Sequence, residues 1–330
     1  MNIFKNKKKI NLNEDNTINF EKKGKYNITI IFNNNLTECA YLFDCWYSLI
    51  SIDLSNLETS KVINMECMFN KCHKLKEIKG IEKFNTNNVI NMSKMFQDCN
   101  ELETLDLSNF DTSKVNNMSL MFNKCYKLKE IKGIENFNIN NVENINGMFQ
   151  GCNEIKSLNL LNFDTSKVNN MQCMFNECIK IKEIKGIEKF DTNNVIDISG
   201  IFQGCQELES LDLSNFDTTN VDNMEYMFSD CNKLKEIKGL ENLNTHNVEN
   251  MCAMFQGCEE LETLDLSNFD TSKVKNMESM FCDCNKLKEI KGIENFKTNN
   301  VENMKTIFEN CNELKFINLS NFDISNVNNL

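Results

Sequence analysis

Apolar residues return along this chain at fixed places. Leu102, Leu105 and Leu107 follow L-x-x-L-x-L, Phe110 comes three residues later, and Val115, Met118, Met121, Phe122 and Cys125 then fall at i, i+3, i+6, i+7 and i+10. The first group predicts a short strand, with Leu105 and Leu107 inward and Thr104, Asp106 and Ser108 outward. The second predicts one face of a short helix beginning between Thr112 and Asn117. Asp111-Thr112-Ser113 lies between them, and its short oxygen-bearing side chains favour turns and helix starts.

The pattern is periodic. Leu105 to Val115 returns as Leu158 to Val168, Leu211 to Val221 and Leu264 to Val274, a period of 53 residues. Each period holds two units, marked by Cys45, Cys72, Cys99, Cys125, Cys152, Cys178, Cys205, Cys231, Cys258, Cys284 and Cys311. After the first interval their spacing alternates between 26 and 27 residues, and the longer unit carries Gly80, Gly133, Gly186, Gly239 or Gly292. A glycine at a one-residue insertion implies a bulge or a φ > 0 turn.

Repeats of this length with this strand signature predict an α/β solenoid: a leucine-rich repeat horseshoe with parallel concave strands and short convex helices. Strands repeat at about 4.8 Å and helices at about 8–10 Å, so such a stack must curve. A continuous ladder of ten strands would span on the order of 50 Å. Residues 1–51 read as an N-terminal cap, with strand-like alternation over Lys25 to Phe32 and an atypical first repeat ending in Tyr41 to Cys45. Ten units alternating 26 and 27 residues fill 52–316, and 317–330 start another that stops before its M-F-x-x-C. That open end is a possible contact surface; the oligomeric state is undetermined at this level.

Charge narrows the partners. The chain of 330 residues has a formal net charge of −12 and no arginine, and its only basic cluster is Lys5, Lys7, Lys8 and Lys9. Nucleic acid and anionic membrane surfaces are therefore poor candidates. No stretch approaches the roughly 20 apolar residues of a membrane-spanning helix, which argues against direct membrane insertion, and no secretory signal is visible. The 16 cysteines would suggest disulfides in a short secreted chain. Eleven of them instead continue the apolar stripe, one per unit, and helices packed about 8–10 Å apart would hold them beyond disulfide reach. Buried free thiols are expected.

Candidate chemistry is sparse. His73 and His246 fall at different places in their units, and the pairs Cys67/Cys72, Cys173/Cys178 and Cys282/Cys284 lack zinc-site spacing. The Asp-Thr-Ser triplet recurs at Asp164 and Asp270 and, as Asp-Thr-Thr, at Asp217, so it reads as architecture rather than a nucleophile site. Phosphate-cradling, dinucleotide-binding and nucleophile-elbow motifs are absent, and no cofactor is expected. Asn-x-Ser/Thr sites at Asn27, Asn35, Asn91, Asn117 and Asn318 are expected by chance in so asparagine-rich a chain.

Two columns could meet a partner. Outward strand positions place Asp106, Lys132, Asp212 and Lys238 in one line with alternating charge; this either sets register and solubility or forms a binding face. The residue after each ladder cysteine varies, and it is large at Trp46, His73, Tyr126 and Ile179. These are either interface anchors or, for Trp46, a side chain buried under the cap.

With L-D-L-S-N-F-D-T-S-K-V-N-N-M-S-L-M-F-N-K-C in view, the chain resembles the BspA-like leucine-rich repeat proteins, the repeat family of mycoplasma and spirochaete surface proteins. The resemblance covers about Asn35 to the C-terminus. It implies a right-handed solenoid used for binding, with adhesion at a cell surface as the usual role. The expected function is non-enzymatic binding of a protein or host-surface macromolecule; the alternative is an intracellular scaffold or regulator, favoured by the missing signal and reduced cysteines.

Overall fold

A computed structural model describes residues 2–5, 8–10, 28–31 and 36–329. Strands β1 (Asn2–Lys5), β2 (Lys8–Ile10) and β3 (Ile28–Ile31) form an antiparallel sheet in the order β2-β1-β3. The expected strand over Lys25 to Phe32 thus appears as Ile28–Ile31; its flanks at 25–27 and at 32, and Lys7 of the basic cluster, lie outside the described residues.

From residue 36 onward the chain winds into a parallel β-solenoid. Ser51–Asp53 pairs in parallel with Glu77–Lys79, Thr104–Asp106 with Glu130–Lys132, Ser157–Asn159 with Glu183–Lys185, Ser210–Asp212 with Glu236–Lys238, and Thr263–Asp265 with Glu289–Lys291. Each pair joins a short coil to the long coil that follows. The continuous ten-strand ladder expected from sequence is therefore a series of two-stranded ladders. The left-handed glycine ends every long strand (φ 82 to 93°) and opens a three-residue 3-10 turn that absorbs the extra residue. A Cβ built on Gly133 would stand 2.4 Å from the Ser108 backbone, so close approach to the preceding coil excludes a side chain as firmly as the dihedral does. Between pairs, an asparagine side chain takes over: Asn109 Nδ2 donates to the Glu82 carbonyl at 2.8 Å, and Asn162 to that of Glu135 at 2.7 Å.

The expected convex helices are absent. Among the described residues there is no α-helix, and the Val115–Cys125 segment is a run of overlapping turns. Met121 donates its N–H to the Met118 carbonyl, Asn123 to Leu120 and Cys125 to Phe122. The N–H groups in between point to the next coil: Met118 to Asn144, Leu120 to Asn146, Phe122 to Met148 and Lys124 to Gln150, at 2.6 to 3.0 Å. A helix would spend every N–H on its own carbonyl four residues back, leaving none for a neighbour. The price of the arrangement is a left-handed residue twice per coil, as at Leu120 (φ 56°) and Lys124 (φ 57°).

Backbone bonding on this side holds successive coils nearly as close as strands. Phenylalanines 43, 69, 96, 122, 149, 175, 202, 228, 255, 281 and 308 stack ring on ring, with centroids 5.4 to 5.9 Å apart and planes within 16°. That spacing is far from the 8–10 Å of packed helices, so the argument for strong curvature falls with the helices. Val115, Met118, Met121, Phe122 and Cys125 are nonetheless all fully buried. The inward set was right and its backbone was not.

Three polar columns lock the coils together. Asparagines of the N-N-M motif bridge coil to coil from Asn64 through Asn91, Asn117 and Asn144 to Asn170, and each Oδ1 accepts the N–H two residues on, as Asn117 does from Ser119 at 2.9 Å. Amides at Gln97, Asn123, Gln150, Asn176 and Gln203 hand hydrogen bonds along the stack at 2.6 to 3.2 Å. The threonine of Asp-Thr-Ser is a clamp. Thr165 Oγ1 donates to the Asp191 carbonyl at 2.9 Å and accepts the Asp191 N–H at 2.8 Å, while Asp164 Oδ1 caps the local turn by accepting the Ser166 N–H.

Because Thr165 is 1% exposed, replacing its hydroxyl by a methyl leaves the Asp191 N–H and carbonyl without partners in a dry place. Thr165→Val should lower unfolding free energy by about 1–3 kcal/mol in chemical denaturation; a change below about 0.5 kcal/mol would remove the clamp from this account.

Candidate binding face

The strand side carries the outward residues, and its electrostatics is pairwise. The short coils that begin at Glu101 and Glu207 offer glutamates to the lysines of the next long coil: Glu101 to Lys127 and Glu103 to Lys129 at 2.7 Å, Glu207 to Lys233 at 2.8 Å, Glu209 to Lys235 at 2.9 Å. These carboxylates sit below their ordinary range because a lysine donates to each. Pairs this exposed contribute under about 1 kcal/mol apiece.

The column of Asp106, Lys132, Asp212 and Lys238 is less uniform than its spelling. Asp106 faces Lys132 in strand register, yet its carboxylate accepts from its own neighbour, Ser108 Oγ, at 2.7 Å, and Lys132 makes no ion pair within 4.0 Å among the described residues. Lys238 does reach Asp212, at 2.6 Å, and holds its carboxyl down to about 2, with Ser214 adding to the effect.

The column after the ladder cysteines lies at the corner between turn side and strand side. Trp46 is half-buried, edge-on to Phe43 with ring centroids 5.6 Å apart, and His73 lies tilted against Tyr47 at 5.3 Å. Tyr126 is exposed and Ile179 half-buried. Only Trp46 and His73 occupy adjacent coils; Tyr126 and Ile179 stand apart along the stack, so the four do not form one patch.

The ladder cysteines are free and occupied. From Cys72 to Cys311, each ladder Sγ donates to the phenylalanine carbonyl of the preceding coil, as Cys125 does to Phe96 and Cys178 to Phe149, at 3.1 to 3.3 Å. Helix spacing is not what keeps them apart, since the coils touch through backbone bonds; each thiol is committed to a carbonyl. Burial pushes Cys72, Cys178 and Cys231 up to about 12. Sequence alone missed this donor role, whose only trace is the invariant three-residue step from phenylalanine to cysteine plus one coil.

Among the described residues no three His, Cys, Asp or Glu side chains gather as a metal site, and no helix is long and apolar enough to cross a membrane. The observed parts are a leucine-rich repeat-type solenoid with a polar strand face. The chain belongs to the family described as "Mycoplasma protein of unknown function, DUF285", which matches residues 37–159, 144–239 and 234–330, and it is a BspA-like repeat protein. Solved structures similar to it include a leucine-rich cell surface protein from Faecalibacterium prausnitzii (17% identity, TM-score 0.44, covering 85% of this chain and 76% of that one). Others are leucine-rich repeat proteins from Eubacterium ventriosum (14%, TM-score 0.44, 87% and 76%) and Bacteroides ovatus (16%, TM-score 0.35, 89% and 89%). No curated protein matches.

Two predictions follow the titrating groups. A thiolate-selective alkylating reagent at pH 8 should label the native protein only at the partly exposed Cys45, Cys173 and Cys311, with the buried ladder cysteines from Cys72 to Cys284 reacting after denaturation; rapid native labelling of Cys125 or Cys152 would contradict the burial. Asp212 has a depressed folded pKa, so its contribution to stability is complete above the ordinary carboxylate range near pH 4 and is lost as pH falls toward about 2. Thermal melts between pH 4 and 2 should therefore fall less steeply for Asp212→Asn than for the parent; equal slopes would remove the residue from the acid response.

Proposed function

We propose that the chain is a non-enzymatic solenoid that binds another protein through its strand side and the adjoining corner column, with attachment at a cell surface as its setting. The observation that supports this reading is the outward array itself: strands in fixed parallel register present side chains such as Asp106, Lys132, Asp212 and Lys238 at coil spacing, on a backbone fixed on both sides. Rigid, regularly spaced positions lose little entropy when a partner orders against them. Tyr126 and Ile179 add large side chains at the edge of the same side, the kind that anchor interfaces.

The free, buried thiols favour a second reading, an intracellular scaffold, because reduced cysteines persist in reducing compartments. Localising the full-length native protein separates the two settings.

The binding reading is tested by capturing proteins on the immobilised full chain, beside Lys132→Glu/Lys238→Glu and Tyr126→Ala/Ile179→Ala variants that keep the native melting profile. A captured protein should be lost from at least one variant, with affinity for the purified partner weakened about tenfold or more. Capture identical on all three proteins would exclude both surfaces.

A further inference from the structure

One interior coil departs from a rule that three others keep, while the first short coil carries Ile50 with Asp53 and Ser55. In the short coils that follow Glu101, Glu207 and Glu260, the strand side reads glutamate, then aspartate, then serine: Glu103-Asp106-Ser108, Glu209-Asp212-Ser214 and Glu262-Asp265-Ser267. The coil that follows Glu154 has Lys156, Asn159 and Leu161 at these places. Two of the changes recur in the terminal coil as Lys315 and Asn318, which keeps Ser320; only the 154–161 coil has all three and neighbours on both sides.

The consequences are local and additive. Lysine for glutamate and asparagine for aspartate leave this coil three charges more positive than its equivalents. Lys156 then sits between Lys129 and Lys182, three consecutive lysines in a column where lysine and glutamate otherwise alternate from Lys76 to Lys288. Lys156 has no acidic side chain within 4.0 Å among the described residues, and Lys182 reaches only Glu207 at 3.8 Å, whereas the equivalent pairs Glu209–Lys235 and Glu262–Lys288 close to 2.9 and 2.8 Å. Leu161 is 43% exposed on the same side, where its serine equivalents bond back to an aspartate. It forms one wall of a shallow groove of about 330 Å³ whose charged lining is mixed, Lys182 and Lys185 with Glu183, Glu188 and Asp212, so the unpaired lysine column beside it supplies the positive charge.

We propose that this coil docks an acidic protein segment carrying an apolar side chain, with carboxylates against Lys156 and Lys182, since Lys129 is already held by Glu103 at 2.7 Å, and the apolar group against Leu161. The inference rests on the binding reading above and gives it a place and a partner chemistry. Like charges at strand spacing repel one another, so a run of lysines retained across three coils is relieved when anions lie across it. The chain as a whole is negative, and screening beyond about 8 Å at physiological salt leaves the local lysines to decide what settles there. A protein segment is favoured over a polyphosphate because the apolar wall is part of the same departure and a phosphate backbone gives it nothing to cover.

The surrounding repeats supply a clean reversal. Lys156→Glu/Asn159→Asp/Leu161→Ser installs residues that the equivalent coils already carry, so the solenoid should fold and melt as before. The probe is a fluorescent peptide of glutamates flanking two leucines, titrated against the full chain. The parent should bind it with an affinity that falls steeply with salt, the triple variant about tenfold or more weakly, and Leu161→Ser should weaken binding with little change in salt dependence. Equal binding by parent and triple variant, or no binding by the parent, overturns the proposal. So does a thymidine oligonucleotide that binds the parent as tightly as the peptide. The binding reading itself fails separately, when protein capture ignores both of its surface variants.

Discussion

The molecule depends on one use of the backbone: on the turn side, every second N–H is given to the next coil. Met118, Leu120, Phe122 and Lys124 donate forward while Met121, Asn123 and Cys125 close turns within the coil. This division accounts for the left-handed residues, because a chain that turns tightly while aiming alternate amides along the solenoid axis cannot stay in the right-handed region. It also fixes coil spacing on the side where helices would have spread the stack. Everything in a column then meets its own copy at about 5–6 Å, a distance at which rings stack and amides and hydroxyls reach across.

That spacing explains why the side chains repeat so strictly. A phenylalanine at 5.4 to 5.9 Å from the next is in stacking range only if every coil places one there. An Asn117 that bridges Asn91 and Asn144 works only in an unbroken column. The cysteine is small enough to lie beside the phenylalanine of its neighbour and can satisfy that residue's carbonyl; an alanine would fit and leave the bond unmade, and a valine would need more room. Stability is thus built from nearest-neighbour terms, and the repeat is conserved within the chain because each copy is the binding site of the next.

What could be read from the letters was what each residue does within its own coil. Leu105 and Leu107 inward, Gly133 at positive φ and the inward set from Val115 to Cys125 all follow from local pattern. The helix was misread because intervals of three and seven fit a helical face and a run of overlapping four-residue turns equally well. What separates them is whether the Met118 N–H looks to its own coil or to Asn144, and that is a contact 26 residues away. Thr165 was hidden for the same reason: next to Asp164 it looks like a cap, and its two bonds to Asp191 exist only once coils are stacked. On the strand side, register places Asp106 opposite Lys132, but Ser108 competes for the carboxylate at 2.7 Å, so alternation of charge in a column overstates the pairing.

In a solenoid of this kind, function should be sought where the repeat is violated rather than where it is kept. A residue present in every coil already has a partner in the next one, and its chemistry is consumed there: the ladder thiols by phenylalanine carbonyls, the Asp-Thr-Ser threonines by backbone amides, most strand-side glutamates by lysines. A residue that departs from its column loses that partner and keeps its capacity for something else. Lys156, Asn159 and Leu161 depart together, on one coil and one side, and no feature of the packing requires any of them, since glutamate, aspartate and serine serve the same positions elsewhere in the same stack. Residues that serve the architecture are therefore separable from those that do not by inspection of the chain's own copies.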